Sequence, residues 1–217
     1  MLGQSNFTEL RIVNMGVISN GTTLLDAGAL DSGVATGSMV LIDTVTVTNA
    51  GNITFDGSLA TGFSSAYKEY IFKLIDIHPA ATGADYTFQV GTASATNFDQ
   101  TITSTHFRAF NNEAGDTTSL AYSASHDLAQ STSAQILFNG VGAENDESCV
   151  GTLHIFDPTS TTFVKHFIFS GTQYQQSDYA ITHHVAGYFN TTTALDRITF
   201  FFSSGNQAGT IKMYGIK

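Results

Sequence analysis

The sequence predicts an all-β protein, an antiparallel jelly-roll-like β-sandwich of eight or nine strands with an extended N-terminal arm. Three observations carry this expectation. Apolar residues recur at every second position through most of the chain, the signature of strands with one buried face. Dipeptides built on Gly and Asn punctuate those runs. The residues that long surface helices need are scarce: charged residues make up 12% of the 217 residues, against 42% hydrophobic.

Residues 1–37 read as the arm or docking segment. Gly, Thr, Ser and Asp dominate from Ser19 to Gly37, and the apolar Leu24, Leu25, Leu30 and Val34 are dispersed. The segment either lies along the domain or reaches a neighbouring subunit; a surface loop with one edge strand at Leu10 to Val13 is the competing reading. Residues 38–217 read as the sandwich. Val45 and Val47 alternate with Thr44, Thr46 and Thr48. Tyr86, Phe88 and Val90 alternate with Asp85, Thr87 and Gln89. Ile181, Val185 and Phe189 share one side of a strand whose other side carries Thr182, His184 and Tyr188. Ile198, Phe200 and Phe202 line up in the same way. Two runs, Tyr70 to Ile77 and Phe163 to Phe169, are apolar on both faces, which suits central strands covered on two sides or strands whose outer face meets another subunit. Turns are expected at Asn20-Gly21, Gly51-Asn52, Asp56-Gly57, Thr82-Gly83, Asn139-Gly140 and Gly205-Asn206. The long polar stretch from Asn111 to Gln130 reads as a crossover between two sheets. The strongest helical candidates, Ser64 to Tyr67 and Asn97 to Thr101, amount to a turn or two. Many antiparallel strands with such turns mean a sandwich or barrel, and uneven connection lengths favour a jelly roll.

Composition excludes several classes of partner. Eighteen Asp and Glu against eight Lys and Arg give a net charge of −10, and the cations are scattered, so no basic stripe tracks a phosphate backbone. No apolar run approaches the roughly 18 residues of a membrane span. The single Cys149 permits no internal disulfide and reads as a small buried hydrophobe. The first residues, Met1 to Asn6, show neither the basic leader nor the apolar block of a secretory signal, which predicts synthesis in a reducing cytoplasm. The low-charge, neutral-polar surface suits lateral packing against other protein.

Candidate chemistry is sparse. His183 and His184 are adjacent in a strand and point to opposite faces, so they cannot chelate one ion together. His154 and His166 lie on successive strands, but two further zinc ligands cannot be placed and no His-x-x-x-His or Cys-x-x-Cys spacing exists. The acidic loop Gly142 to Ser148 lacks the alternating aspartates of a calcium loop and reads as a solvated hairpin tip. No nucleophile elbow, phosphate-cradling glycine loop or metalloprotease helix is present. The sequence therefore predicts no enzyme, no cofactor and no metal site.

The 17 Phe and 8 Tyr residues are the strongest positive signal. Phe200-Phe201-Phe202 must place at least one ring on each face of its strand. Placing an exposed ring against a partner removes about 1.5–3 kcal/mol of hydration penalty, which predicts association of copies, with Phe201, Phe163, Phe167, His183, Tyr188 and Tyr214 as candidate subunit-interface residues. For His183 a hydrogen-bonded core position is the alternative.

The segment Leu195 to Lys217, with Ile198-Thr199-Phe200-Phe201-Phe202-Ser203-Ser204-Gly205-Asn206 leading into Gly209-Thr210-Ile211-Lys212-Met213-Tyr214-Gly215, resembles the C-terminal hairpin of virion structural proteins of tailed bacteriophages, marine and cyanobacterial phages above all. Tyr67 to Phe72, Ile77 to Ala80 and Asp85 to Val90 are similar to the same group, so the likeness runs from about Gly51 to Lys217. It implies a β-sandwich building block of the virion made in the host cytoplasm. The expected form is a homotrimeric tail fibre or tail appendage component that contacts other virion proteins and a host-surface glycan or receptor. A head decoration or cement protein is the alternative position. A glycan-binding or glycan-cleaving domain is the alternative of another class. The resemblance carries over no catalytic residue.

Overall fold

The computed structural model describes residues 17–19, 22–26, 29–30, 38–56, 62–92 and 97–217. They fall into two compact units that divide between Ser38 and Met39. In the first, β1 (Val17–Ser19), β2 (Thr22–Asp26) and β3 (Ala29–Leu30) form a small antiparallel sheet in the order β1-β2-β3. Ser19 pairs with Thr22, the residues that flank the Asn20-Gly21 dipeptide. The strand considered at Leu10 to Val13 lies outside the described residues.

The second unit holds twelve strands: β4 (Met39–Ala50), β5 (Ile53–Phe55), β6 (Glu69–Pro79), β7 (Ala84–Thr92), β8 (Ile102–Asn112), β9 (Thr118–Tyr122), β10 (Gln135–Val141), β11 (Cys149–Phe156), β12 (Lys165–Gln175), β13 (Tyr179–Phe189), β14 (Leu195–Phe202) and β15 (Gln207–Ile216). Every pairing is antiparallel, and no helix occurs among the described residues; Ser64 to Tyr67 contains a turn only. The expected eight or nine strands are thus an undercount. The stretch read as a crossover is also corrected in part: after β8 the chain turns back at Thr118 as β9 and only then crosses to β10.

The strand order explains the surplus. Two four-stranded sheets, β4-β15-β6-β11 and β5-β14-β7-β10, form the sandwich. Counting only these eight strands along the chain, the orders are 1-8-3-6 and 2-7-4-5, the double Greek key of a jelly roll. Two hairpins are inserted into that plan. The β8–β9 hairpin follows β7, and the β12–β13 hairpin follows β11. Both extend the first sheet, so it runs β4-β15-β6-β11-β12-β13-β8-β9, eight strands wide. The two sheets meet at one corner through Val141 and Gln175.

The core between the sheets is aromatic. Phe88 of β7 meets Phe167 of β12 edge-on at 5.2 Å and Phe189 of β13 edge-on at 6.0 Å, and the tilted ring of Phe200 of β14 lies 6.2 Å away. Phe72 lies 5.5 Å from Phe55 and 5.4 Å from Phe200. The edge-to-face pairs among these are each worth about 0.5–1.5 kcal/mol beyond the area they bury. The predicted inward set is confirmed: Tyr86, Phe88, Val90, Val185, Phe189, Ile198 and Phe200 are all fully buried. Cys149 is buried as well, its Sγ against the Ile77 carbonyl, and burial pushes its thiol pKa well up, which leaves it protonated and inert.

Two local irregularities tune this core. Asp76 has a positive φ of 51° and forms a bulge in β6, so Leu74 and Ile77 both point inward while Ile75 points out. On β12, Gly171 sits beneath the rings of Phe138 and Phe169, where an added Cβ would come within 2.6 Å and 2.7 Å of them. The run Phe163 to Phe169 begins pairing only at Lys165. Lys165 takes the inward position in phase with Phe167 and Phe169, and its Nζ donates to the carbonyls of Thr191 and Thr193 at 3.0 Å and 2.7 Å. Its aliphatic stem fills core space while the ammonium is satisfied by backbone oxygen. Phe163, one strand period earlier, is left in the preceding loop.

Candidate interaction surfaces

Within the second unit, the outer face of the eight-stranded sheet is the one turned away from the smaller sheet β5-β14-β7-β10. Its side chains fall in cross-strand rows, because residues directly opposite in antiparallel strands share a face. Leu41, Tyr214, Ile71, His154, Ile168, Ala186 and Thr105 form one row. Among the described residues, every large apolar side chain that is exposed, except Phe163, lies on this face: Met39, Leu41, Ile75, Phe107, Leu120, Tyr122, Val150 and Ile168. The remaining positions are mostly Thr, Ser and Ala. A face of this composition loses little on desolvation when it meets a partner.

The apolar character is strongest at one edge. All five residues of β9 are exposed, Leu120 at 74% and Tyr122 at 55%. Tyr122 stands opposite Phe107 of β8, and Phe107 packs its ring 4.9 Å from that of His184 on β13. Among the described residues β9 pairs with β8 alone, so its other side is an unpaired strand edge within this unit.

The expected interface residues scatter. Tyr188 and Tyr214 lie half-buried on the outer face of the large sheet, and Tyr188 meets the ring of His166 at 6.1 Å. Phe201 lies half-buried on the outer side of the smaller sheet, its carbonyl accepting a bond from the Thr87 hydroxyl. Phe163 is 71% exposed in the loop before β12. Phe167 and His183 are corrected: both are fully buried between the two sheets of their own chain, out of reach of a second copy unless the sandwich opens. The greater part of the aromatic surface is likewise hidden within one chain. The apolar residues that do face solvent were legible only weakly: Leu120 and Tyr122 alternate in Thr-Ser-Leu-Ala-Tyr, a period-two signal embedded in a polar stretch.

Where the inserted hairpins pack against β10, the interior becomes polar. Ser104 Oγ donates to Gln135 Oε1 at 2.6 Å, Arg108 Nη1 to Asn139 Oδ1 at 2.8 Å, and Gln173 Nε2 to the Asn139 carbonyl at 2.6 Å. At the centre His106 Nε2 and His183 Nδ1 lie 2.9 Å apart, both rings buried. Burial, reinforced by His126, holds the His106 pKa down at about 4. Burial, reinforced by His106, holds that of His183 at about 3. At neutral pH both rings are uncharged, one donating and one accepting. His183 Nε2 has no hydrogen-bond partner and abuts the Phe138 ring. The pair is a polar core element, the alternative that the sequence left open for His183.

The other candidate sites resolve individually. His154 Nδ1 is bound to Glu69 at 2.5 Å and is opposite Ile168 on β12, so it does not meet His166. In the acidic loop Glu144, Asn145 and Asp146 are exposed as expected. Glu147 is not solvated: it is buried, its carboxylate folded back to accept the Glu144 amide at 2.6 Å. No three of His, Cys, Asp and Glu come together as a metal-binding group among the described residues. No protein-family model, curated protein or solved structure matches this chain.

Proposed function

We propose that this protein is a structural component of a tailed-bacteriophage virion, a jelly-roll module of a tail fibre or tail appendage that associates with copies of itself, as a trimer, and takes part in host attachment. The observation that carries the self-association is the β9 edge. An exposed strand edge flanked by Phe107, Leu120 and Tyr122 is a template for pairing and aggregation, and stable proteins cover or charge such edges. The strand itself, Thr118 to Tyr122, carries no charged residue and no bulge, and among the described contacts the Asp127 carboxylate reaches it through the Tyr122 hydroxyl alone. A second copy is the cover that the reading supplies. The virion context comes from the likeness of Leu195 to Lys217 and of the central strands to phage structural proteins, with which a low-charge sandwich lacking disulfides agrees.

Light scattering coupled to size exclusion tests the reading. The wild-type chain is expected to elute as an oligomer, and Leu120→Asp combined with Tyr122→Asp is expected to yield a folded monomer. A monomeric wild type, or an oligomer that ignores the double substitution, removes the basis of the proposal. Copy number in a purified particle then separates the two virion positions: a few dozen for an appendage, hundreds for a head decoration.

A further inference from the structure

The middle of the large sheet's outer face carries an arrangement that packing does not explain. Lys212 of β15 and Lys73 of β6 stand directly opposite one another. Like charges in that position destabilise an antiparallel pair. The chain has only eight Lys and Arg among eighteen carboxylates, yet the row through this pair reads Thr44, Lys212, Lys73, Thr152, Ser170, His184 and holds no acid. Lys73 Nζ donates to the Thr152 hydroxyl at 3.1 Å, and neither lysine forms an ion pair among the described residues. Of the carboxylates on the flanking strands, Asp43 accepts from the Thr44 amide, Glu69, two rows away, is bound to His154, and Asp76 is exposed at the β6 bulge. Ile75, Val150, Thr172 and Thr182 flank the row on one side and Tyr214 on the other, enclosing an open trough of about 550 Å³.

We propose that this trough binds an anionic saccharide, a sugar bearing a carboxylate or a sulfate. Its charge sits between Lys73 and Lys212. Its hydroxyls meet those of Thr152, Ser170 and Thr172, which both donate and accept, and its apolar ring faces meet Tyr214, Ile75 and Val150. An acidic peptide fits less well. The strands that floor the trough are all internal to the sheet, so they offer no free backbone for strand addition. A nucleic acid would need a longer cationic track than two lysines in a chain of net charge −10. The two lysines stand apart from the self-association surface: β9 is five strands from β6, about 24 Å at the usual strand spacing, while the far wall of the trough, Thr182 on β13, is two strands from β9.

Calorimetric titration of the full chain with chondroitin sulfate, polygalacturonate and neutral dextran tests the site, the first two separating sulfate from carboxylate recognition. Binding of at least one acidic polymer is expected. It should be at least tenfold weaker in Lys73→Gln/Lys212→Gln and unchanged in Lys68→Gln, a lysine outside the trough. Backbone amide shifts should centre on Gly151, Gly171 and Thr182. Thermal melting confirms that the variants are folded. Absence of binding to both acidic polymers overturns the proposal. So does equal binding of dextran, full affinity in the double lysine variant, or amide shifts confined to β9. A monomeric protein that still loses affinity with the two lysines would end the self-association reading and leave this one intact.

Discussion

The buried histidines His106 and His183 couple stability to pH. Their folded-state pKa values lie near 4 and 3, below the ordinary value of about 6.5. As pH falls through 6.5 the unfolded chain takes up protons that the folded chain refuses, so ν is larger in the unfolded state and stability declines. The loss continues until the folded-state values are reached. Each histidine contributes a slope of about 1.4 kcal/mol per pH unit across that window. His183→Gln leaves a neutral hydrogen-bonding group beside His106 and should flatten the decline by about one such slope. Urea midpoints at about pH 7, 5.5 and 4.5 for both proteins measure it; parallel curves would show that the pair titrates as it does in the unfolded chain. At this scale the sequence was partly legible. The alternation Ile181, His183, Val185 placed His183 on an inward face, but its partner His106 lies 77 residues away, and nothing in either local sequence connects them. Lys165 is the opposite case. A lysine between Val164 and His166 looks like a surface residue, and only the Thr191 and Thr193 carbonyls permit it inside.

At the scale of the element, backbone shape decides what a strand can carry. Gly171 exists beneath two rings, and Gly171→Ala should cost about 1–3 kcal/mol through overpacking. Phe138→Leu added to it should recover part of the loss, since the two sites touch. Chemical denaturation of the single and double variants checks this, and unaltered stability of Gly171→Ala would mean that the rings yield freely. The lysine pair on β6 and β15 makes the reverse prediction. Removing one charge by Lys212→Gln should stabilise the fold by about 0.2–1 kcal/mol, and the gain should shrink with added salt. Melting at low and high ionic strength reads it out, and a loss of stability would indicate that the pair supports the sheet. The strands β7 and β14 were legible because one of their faces is apolar, and β13 because Ile181, Val185 and Phe189 outweigh the single His183 on its inward face. β9 was not, because all five of its residues face water and exposure erases the contrast that makes a period visible. The β6 bulge at Asp76 escaped for a related reason: it shifts the inward phase from Leu74 to Ile77 within a run that is apolar throughout.

At the scale of the whole molecule, the jelly roll was anticipated while the two inserted hairpins were not. Composition and turn chemistry identify a sandwich, but the strand order is fixed by contacts across long stretches of chain. The insertions double the width of one sheet without widening the other, so within this unit the outer face of the large sheet is twice as wide as the plain sandwich would give. The proposed self-association and the proposed saccharide trough both occupy that surface, at its edge and its centre. Loss of the β9 apolar residues should therefore alter assembly without altering binding of acidic sugars.

The pairing of β15 with β4 and β6 has a bearing on biosynthesis. The first and last strands of the sandwich are neighbours, so a nascent chain emerging at about 5–20 residues per second exposes two unsatisfied ribbons of backbone until Gln207 to Ile216 leaves the ribosome. Contacts this distant in sequence close slowly. During that interval the protein is most open to mispairing with other nascent copies, and shielding by a chaperone would matter more for it than for a helical domain of equal length.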